Sequence, residues 1–218
     1  MWARLCSVLI GYAFGNILSA ELVAKHYNKS LFEEGSLNPG MANAGRVLGK
    51  KAGAYTLIGD ILKTAVAILV CWLLFGKDIG RLVVLYAGLG ATLGHDFPIW
   101  HHFHGGKGVA CIVVTNILYS IPFGLASAAA GLVVVLLHGG LKWSAVLISW
   151  LYSICMYIWG PVNAAGVREA FWVSIVLAGL MTYKNLQKTP LDAGYKGKLP
   201  EKKSESVLSE TDREKEVV

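Results

Sequence analysis

Two glycine-rich segments hold most of the residues whose types and spacing suit chemistry. In GHDFPIWHHFHGGKGVA, Gly94–Ala110, the run Gly105-Gly106-Lys107-Gly108 leads straight into an apolar stretch starting at Val109. A helix N-terminus there offers free N–H groups and the positive end of the dipole, and Lys107 adds a full charge, so the expected ligand is an anion. A nucleotide P-loop needs an earlier glycine and a Ser or Thr after the lysine, but Gly108 follows Lys107. The other segment, GSLNPGMANAGRVLGKKAG, Gly35–Gly53, is built from Gly, Asn and small residues. Gly and Asn accept positive φ, so successive backbone N–H groups can form an anion-binding nest. Ser36, Asn38 and Asn43 add uncharged donors and Arg46 a forked cation suited to phosphate oxygens. The plainer reading of this segment is a flexible loop whose Arg46, Lys50 and Lys51 set membrane topology.

Other polar residues sort by context. His101, His102 and His104 share a short loop without the carboxylate or cysteine partners of a metal site, so neither a metal nor a cofactor is expected. His95 stands beside Asp96 at the polar end of an apolar run, where a neutral imidazole can position or deprotonate a hydroxyl, or serve as an interfacial hydrogen-bonding group. Asp60 and Lys63 fall on one helix face within another apolar run. They can pair to fix helix packing or reach the site, and Glu21 is placed for a similar role.

The elements that must position these residues are membrane helices. Hydrophobic residues make up 55% of the 218-residue chain, charged residues 16%, and the mean hydropathy is +0.52. Apolar stretches run over Trp2–Ala24, Gly53–Phe75, Ile79–Trp100, Val109–Leu137, Trp143–Trp159 and Phe171–Tyr183. Most approach the roughly 20 residues a spanning helix needs. The alternating pattern of a β-barrel is absent, so the fold class is all-α and polytopic. Arg4 before a run ending near Ser19-Ala20 resembles a secretory signal, but the later spans already anchor the chain, and the stretch reads as the first span. The four cysteines, Cys6, Cys71, Cys111 and Cys155, lie in apolar stretches as buried hydrophobes.

Val109–Leu137 is too long for one span, and Pro122 with Gly124 predicts a break into two short helices, giving about seven spans. Lys25–Lys51 holds five Lys/Arg against Glu33 and Glu34. The positive-inside rule therefore puts this segment in the cytoplasm and the N-terminus outside. Alternation then puts Lys77–Arg81 outside, and both His101–Lys107 and the C-terminus inside. Residues 189–218 read as a charged, disordered cytoplasmic tail after a membrane domain over 1–188. The pI near 9.1 comes from topology charges, and nothing points to nucleic acid.

The order GSLNPGMANAGR, GDILK, GHDFPIWHHFHGGKGVA resembles the membrane acyl-phosphate:glycerol-3-phosphate acyltransferases, the PlsY family, across residues 11–188. The resemblance implies a multi-pass bacterial inner-membrane enzyme with its active site facing the cytoplasm. Such an enzyme moves a fatty acyl group from acyl phosphate to the 1-hydroxyl of glycerol 3-phosphate, giving lysophosphatidic acid and phosphate. It also implies catalytic roles for His95, Lys107, Arg46 and Asn185. Ser36, Asn38, Gly40, Asn43, Lys63, His104, Gly105, Gly106, Gly108 and Lys188 would bind substrate. The implied partners are the two phosphate substrates and the lipid bilayer.

This chain departs from the family pattern at several positions. Asp96 stands where the family usually has Asn, and His104 where it has Lys. Thr182-Tyr-Lys-Asn-Leu-Gln-Lys188 keeps the Asn and a Lys of a third motif without its histidine or glutamate. The alternatives are a divergent paralogue with another acceptor or no catalysis, and a small transporter for an anionic solute.

Overall fold

A computed structural model describes residues 1–160 and 165–187. Lys188 and the tail that follows it lie outside the described residues. Among those described, the fold is helical: α1 (Trp2–Gly15), α2 (Ser19–His26), α3 (Met41–Val47), α4 (Lys50–Ile79), α5 (Leu82–Asp96), α6 (Val109–Tyr119), α7 (Ile121–Leu136), α8 (Gly140–Trp159) and α9 (Ala165–Leu186), with a 3-10 turn at Ile99–His101. Among the described residues, four segments are long and apolar enough to cross a membrane: Trp2–His26, Lys50–Ile79, Leu82–His101 and Gly140–Trp159. The expected break in the fourth apolar run is present, since Ser120 is extended between α6 and α7 and Pro122 lies in the first turn of α7.

Three boundaries differ from the sequence reading. The first run is broken at Asn16–Leu18 and continues as α2. Lys77 closes the last turn of α4, leaving Gly80-Arg81 as the connection to α5. The glycine-rich Gly35–Gly53 segment contains α3, whose Ala44 and Val47 pack with Ala20, Ala24 and Leu31.

α4 shows how this chain is arranged for a bilayer. Tyr55, Ile58, Leu62, Leu69 and Leu73 are exposed, while Thr56, Asp60, Lys63 and Thr64 are buried. Apolar side chains face outward toward lipid and polar ones face neighbouring helices. Several buried hydroxyls are satisfied within their own helices, as when Thr64 donates to the Asp60 carbonyl at 2.8 Å and Thr92 to the Gly88 carbonyl at 2.9 Å.

α5 is the central helix, packed by α1, α4, α6 and α9. Its contact with α1 is backbone on backbone. A Cβ added at Gly11 would stand 2.1 Å from the Ala87 carbonyl oxygen, and one at Gly90 2.1 Å from that of Val8. Gly15 against Ala91 and Gly94 against Tyr12 repeat the arrangement a turn further along. At the far end of the same helices, Arg4 makes a two-point ion pair with Glu169 of α9, its Nη2 donating at 2.9 Å, and the Tyr86 hydroxyl donates to the same carboxylate at 2.7 Å.

Gly11→Val is expected to lower the thermal midpoint of the purified protein in detergent by at least about 5 °C, because backbone cannot yield as a side chain can. Gly179→Ala, where nothing lies within 4 Å, should move it by no more than about one or two degrees. Equal effects of the two changes would refute the close α1–α5 packing.

Candidate active site

The polar motifs converge where α1, α5 and α9 end and α4 and α6 begin. Lys63 stands at the centre, 7% exposed, beside Asp60 at 4%. Its Nζ lies 3.0 Å from Asp60 Oδ1, and it donates to the carbonyls of Ile17 at 2.8 Å and Gly15 at 3.3 Å. Those carbonyls are free because the helix is broken there, which is how irregular backbone persists at membrane depth. Lys63 Nζ also lies 2.8 Å from His95 Nδ1, to which the ammonium donates, leaving the ring hydrogen on Nε2. Burying either Lys63 or Asp60 alone would be costly. Paired with Asp60 and hydrogen-bonded to the two carbonyls, Lys63 fixes the His95 ring.

His95 and the loop after it fit each other through glycines. The Gly106 N–H donates to the His95 carbonyl at 2.9 Å, and a Cβ on Gly106 would meet His95 Nε2 at 2.0 Å. A Cβ on Gly105 would meet the His95 carbonyl oxygen at 2.1 Å. Gly108 caps α6 with φ +62, a left-handed value that glycine adopts without strain. Lys107 is half-buried between these two glycines.

The rest of this loop is tied to its surroundings. Tyr12 donates its hydroxyl to the Phe97 carbonyl at 2.7 Å, and Asn16 Oδ1 accepts the Ile99 N–H at 2.7 Å. His101 Nε2 reaches Glu21 Oε2 at 2.5 Å, and its ring stacks on Phe32 at 4.7 Å between centroids. That stack joins the second glycine-rich segment to the chain leading into the first. His104 is exposed, with Nδ1 donating to the His102 carbonyl at 2.7 Å.

In the first segment, Asn43 holds the loop from inside. Its Oδ1 accepts the Ser36 N–H at 2.8 Å, and its Nδ2 donates to the carbonyls of Glu34 at 3.0 Å and Leu31 at 3.2 Å. Ser36, Asn38 and Gly40 are half-buried on this loop, and Arg46 is exposed on α3. Gly35 at φ +65 supplies a positive-φ turn at a glycine, as anticipated for this segment, while Leu37 at φ +58 adds one at a residue the Gly and Asn pattern does not mark.

Asn185 is buried on α9 and donates to the Met181 carbonyl at 3.0 Å. The residue beside it joins the site more directly, because Lys184 Nζ donates to the Asp96 carbonyl at 2.8 Å. Sequence reasoning missed Lys184, Tyr12 and Asn16. The only available signal was a polar residue at the end of an apolar run.

A buried ion pair inside a helical bundle, with two glycine-rich loops and basic side chains at one end, marks a polytopic membrane protein whose polar groups gather where helices meet. Comparison with known proteins makes the class specific: the family model described as glycerol-3-phosphate acyltransferase matches residues 5–189. The chain is 39% identical over 183 residues to glycerol-3-phosphate acyltransferase 1 of Lactobacillus acidophilus, covering 84% of each. It is 40% identical over 153 residues to the Lactobacillus johnsonii protein of the same name, covering 70% of this chain and 73% of that one. Among solved structures it is similar to PlsY (YgiH), an integral membrane glycerol 3-phosphate acyltransferase. The glycerol 3-phosphate form of that protein matches with a TM-score of 0.71 and 28% identity, over 83% of this chain and 87% of that one. Its lysophosphatidic acid form matches equally well, with a TM-score of 0.71. The chain belongs to the glycerol-3-phosphate acyltransferase family.

Gly106→Ala is expected to push the His95 ring off Lys63 and destabilise the fold by about 1–3 kcal/mol. Nitrogen NMR of labelled histidine should show an unprotonated Nδ1 in the parent protein and a displaced signal in the variant. A variant with the parent spectrum would overturn the fit between ring and loop.

Proposed function

We propose that this protein transfers a fatty acyl group from acyl phosphate to the 1-hydroxyl of glycerol 3-phosphate, forming lysophosphatidic acid and inorganic phosphate in phospholipid synthesis. The observation that carries this reading is the Gly105–Gly108 run with Lys107 folded against His95, on a loop whose His101 contacts Glu21 and Phe32 just ahead of the Gly35–Gly53 segment. Both substrates carry phosphate and one carries a lipid chain, so both needs are met where the cradles face the bilayer surface. The site faces the cytoplasm of a bacterial inner membrane, a reading supported by the basic segment Lys25–Lys51 and by the contact of His101, on the α5–α6 loop, with Glu21 of α2 and with Phe32 at that end.

In the reaction the acceptor hydroxyl oxygen attacks the acyl carbon, the bond from that carbon to the phosphate oxygen breaks, and phosphate leaves with the electron pair. The hydroxyl proton passes to phosphate or water. Arg46 holds phosphate oxygens in a forked geometry, while Lys107 and the Gly105–Gly108 backbone offset the charge that develops on the leaving group. Ser36, Asn38 and Gly40 line the first cradle and Asn43 holds it in shape. His95, fixed by Lys63, stiffens the loop and presents Nε2–H toward it. Asn185 completes the site from the α9 side, and Lys188 is assigned to substrate binding by the family resemblance alone. Positioning and electrostatics supply the rate in this scheme, without an acyl-enzyme.

Purified protein in detergent, given acyl phosphate and glycerol 3-phosphate, should release phosphate and lysophosphatidic acid. Arg46→Ala and Lys107→Ala should each lower turnover by about a hundredfold or more while the protein stays monodisperse. An inactive, well-folded parent would sink the reading, and parent-like rates in both variants would sink the site.

A further inference from the structure

Where α4, α5 and α6 pass one another, they leave a groove of about 490 Å³ on the outer face of the bundle. Ile68 and Val84, both buried, form its floor, and the exposed Leu69 and Trp72 of α4 and Leu118 of α6 form its walls. It follows α4 from Ala65 to Trp72, a helical rise of about 10 Å. Arg81, at the connection between α4 and α5, borders the same groove and is exposed. Its Nη2 donates to the carbonyl of Tyr119, the last residue of α6, and the guanidinium carbon stands 5.5 Å from the centre of the Tyr119 ring. These contacts hold the guanidinium at the mouth of the groove, while it has no ion-pair partner among the described residues. At the same end Arg4 is paired with Glu169, and Lys77 and Asp78 in the last turn of α4 add no net charge between them. A guanidinium carries five donors in a fork that suits phosphate oxygens, so one bond to a carbonyl leaves it able to take another ligand.

We propose that this groove binds an anionic phospholipid from the leaflet at the Arg81 end, with the phosphate on Arg81 and one acyl chain laid over Ile68 and Val84 between α4 and α6. An apolar channel that ends at an unpaired cation matches the two halves of such a molecule, hydrocarbon and charged headgroup. The occupant is a resident lipid, distinct from the acyl donor. Arg81 precedes α5 and His95 lies near its far end, so a headgroup on Arg81 stands about 20 Å from the Gly105–Gly108 loop. The proposal goes beyond the acyl-transfer reading and does not rest on it.

The test uses the full chain, purified and stripped of lipid in detergent, with dipalmitoyl phosphatidylglycerol and dipalmitoyl phosphatidylcholine as probes and native mass spectrometry as the readout. The parent should retain one phosphatidylglycerol per chain with an affinity about tenfold above that for phosphatidylcholine. Arg81→Gln removes the charge and Ala65→Phe fills the groove, and each should weaken phosphatidylglycerol binding by about tenfold. Equal retention of the two lipids by the parent, or loss in only one of the two variants, overturns the proposal. If Ala65→Phe leaves phosphatidylglycerol binding intact and instead shortens the acyl phosphate chain that is turned over best, the groove belongs to the substrate and the proposal falls. Arg81 also closes the end of α6, so should Arg81→Gln fail to fold, Ala65→Phe decides: loss of the phosphatidylglycerol preference sustains the site and its persistence refutes it. No turnover is needed for the lipid measurement, so an inactive parent would sink the acyl-transfer reading and leave this result standing.

Discussion

The ammonium of Lys63 is the group on which the rest of the site depends. At this depth in an apolar bundle a lysine must find compensation within the protein, and each of its partners imposes a condition on the fold. The carbonyls of Gly15 and Ile17 are available only because α1 stops at Gly15. They come within reach of α4 because α1 lies against α5 with glycine at the contact points on both helices. Asp60 is one helical turn from Lys63, so the pair is prearranged by α4 itself. His95 completes the set, and its fixed ring then shapes the backbone of Gly105 and Gly106. A single buried charge thus links a helix break, a close helix crossing and the geometry of the anion cradle.

Features encoded locally were legible in the sequence. The apolar runs identify the bundle because side-chain transfer to lipid is a sum over neighbouring residues, and Pro122 marks the α6–α7 break because proline acts on its own turn. The Asp60–Lys63 spacing predicts a shared face, which α4 provides. Features that depend on distant partners were hidden. The break at Asn16–Leu18 has no proline, and it is stabilised by Lys63 and by Ile99, which are remote in the chain. Met41–Val47 reads as loop by its Asn and Gly, yet it is helical because Ala44 and Val47 close a small core with α2 and because Gly53 of α4 lies against Gly45. The role of Lys184 could not be read, since its contacts, Asp96 and Phe97, lie on another helix end.

The distribution of charge between the interior and the rim follows from the same constraint. Inside, Lys63 stands with Asp60, so those two buried charges cancel, and the buried Lys184 is held by the main-chain carbonyl of Asp96. At the rim, Arg46, Lys50 and Lys51 are exposed and Lys107 is half-buried. With Lys63 neutralised beneath it, the cationic rim confines the attraction for anions to the surface that carries the two glycine-rich segments. The same arrangement weighs against an anion path through the bundle, because a transported anion would have to meet an unpaired cation at depth, and Lys63 already stands beside Asp60.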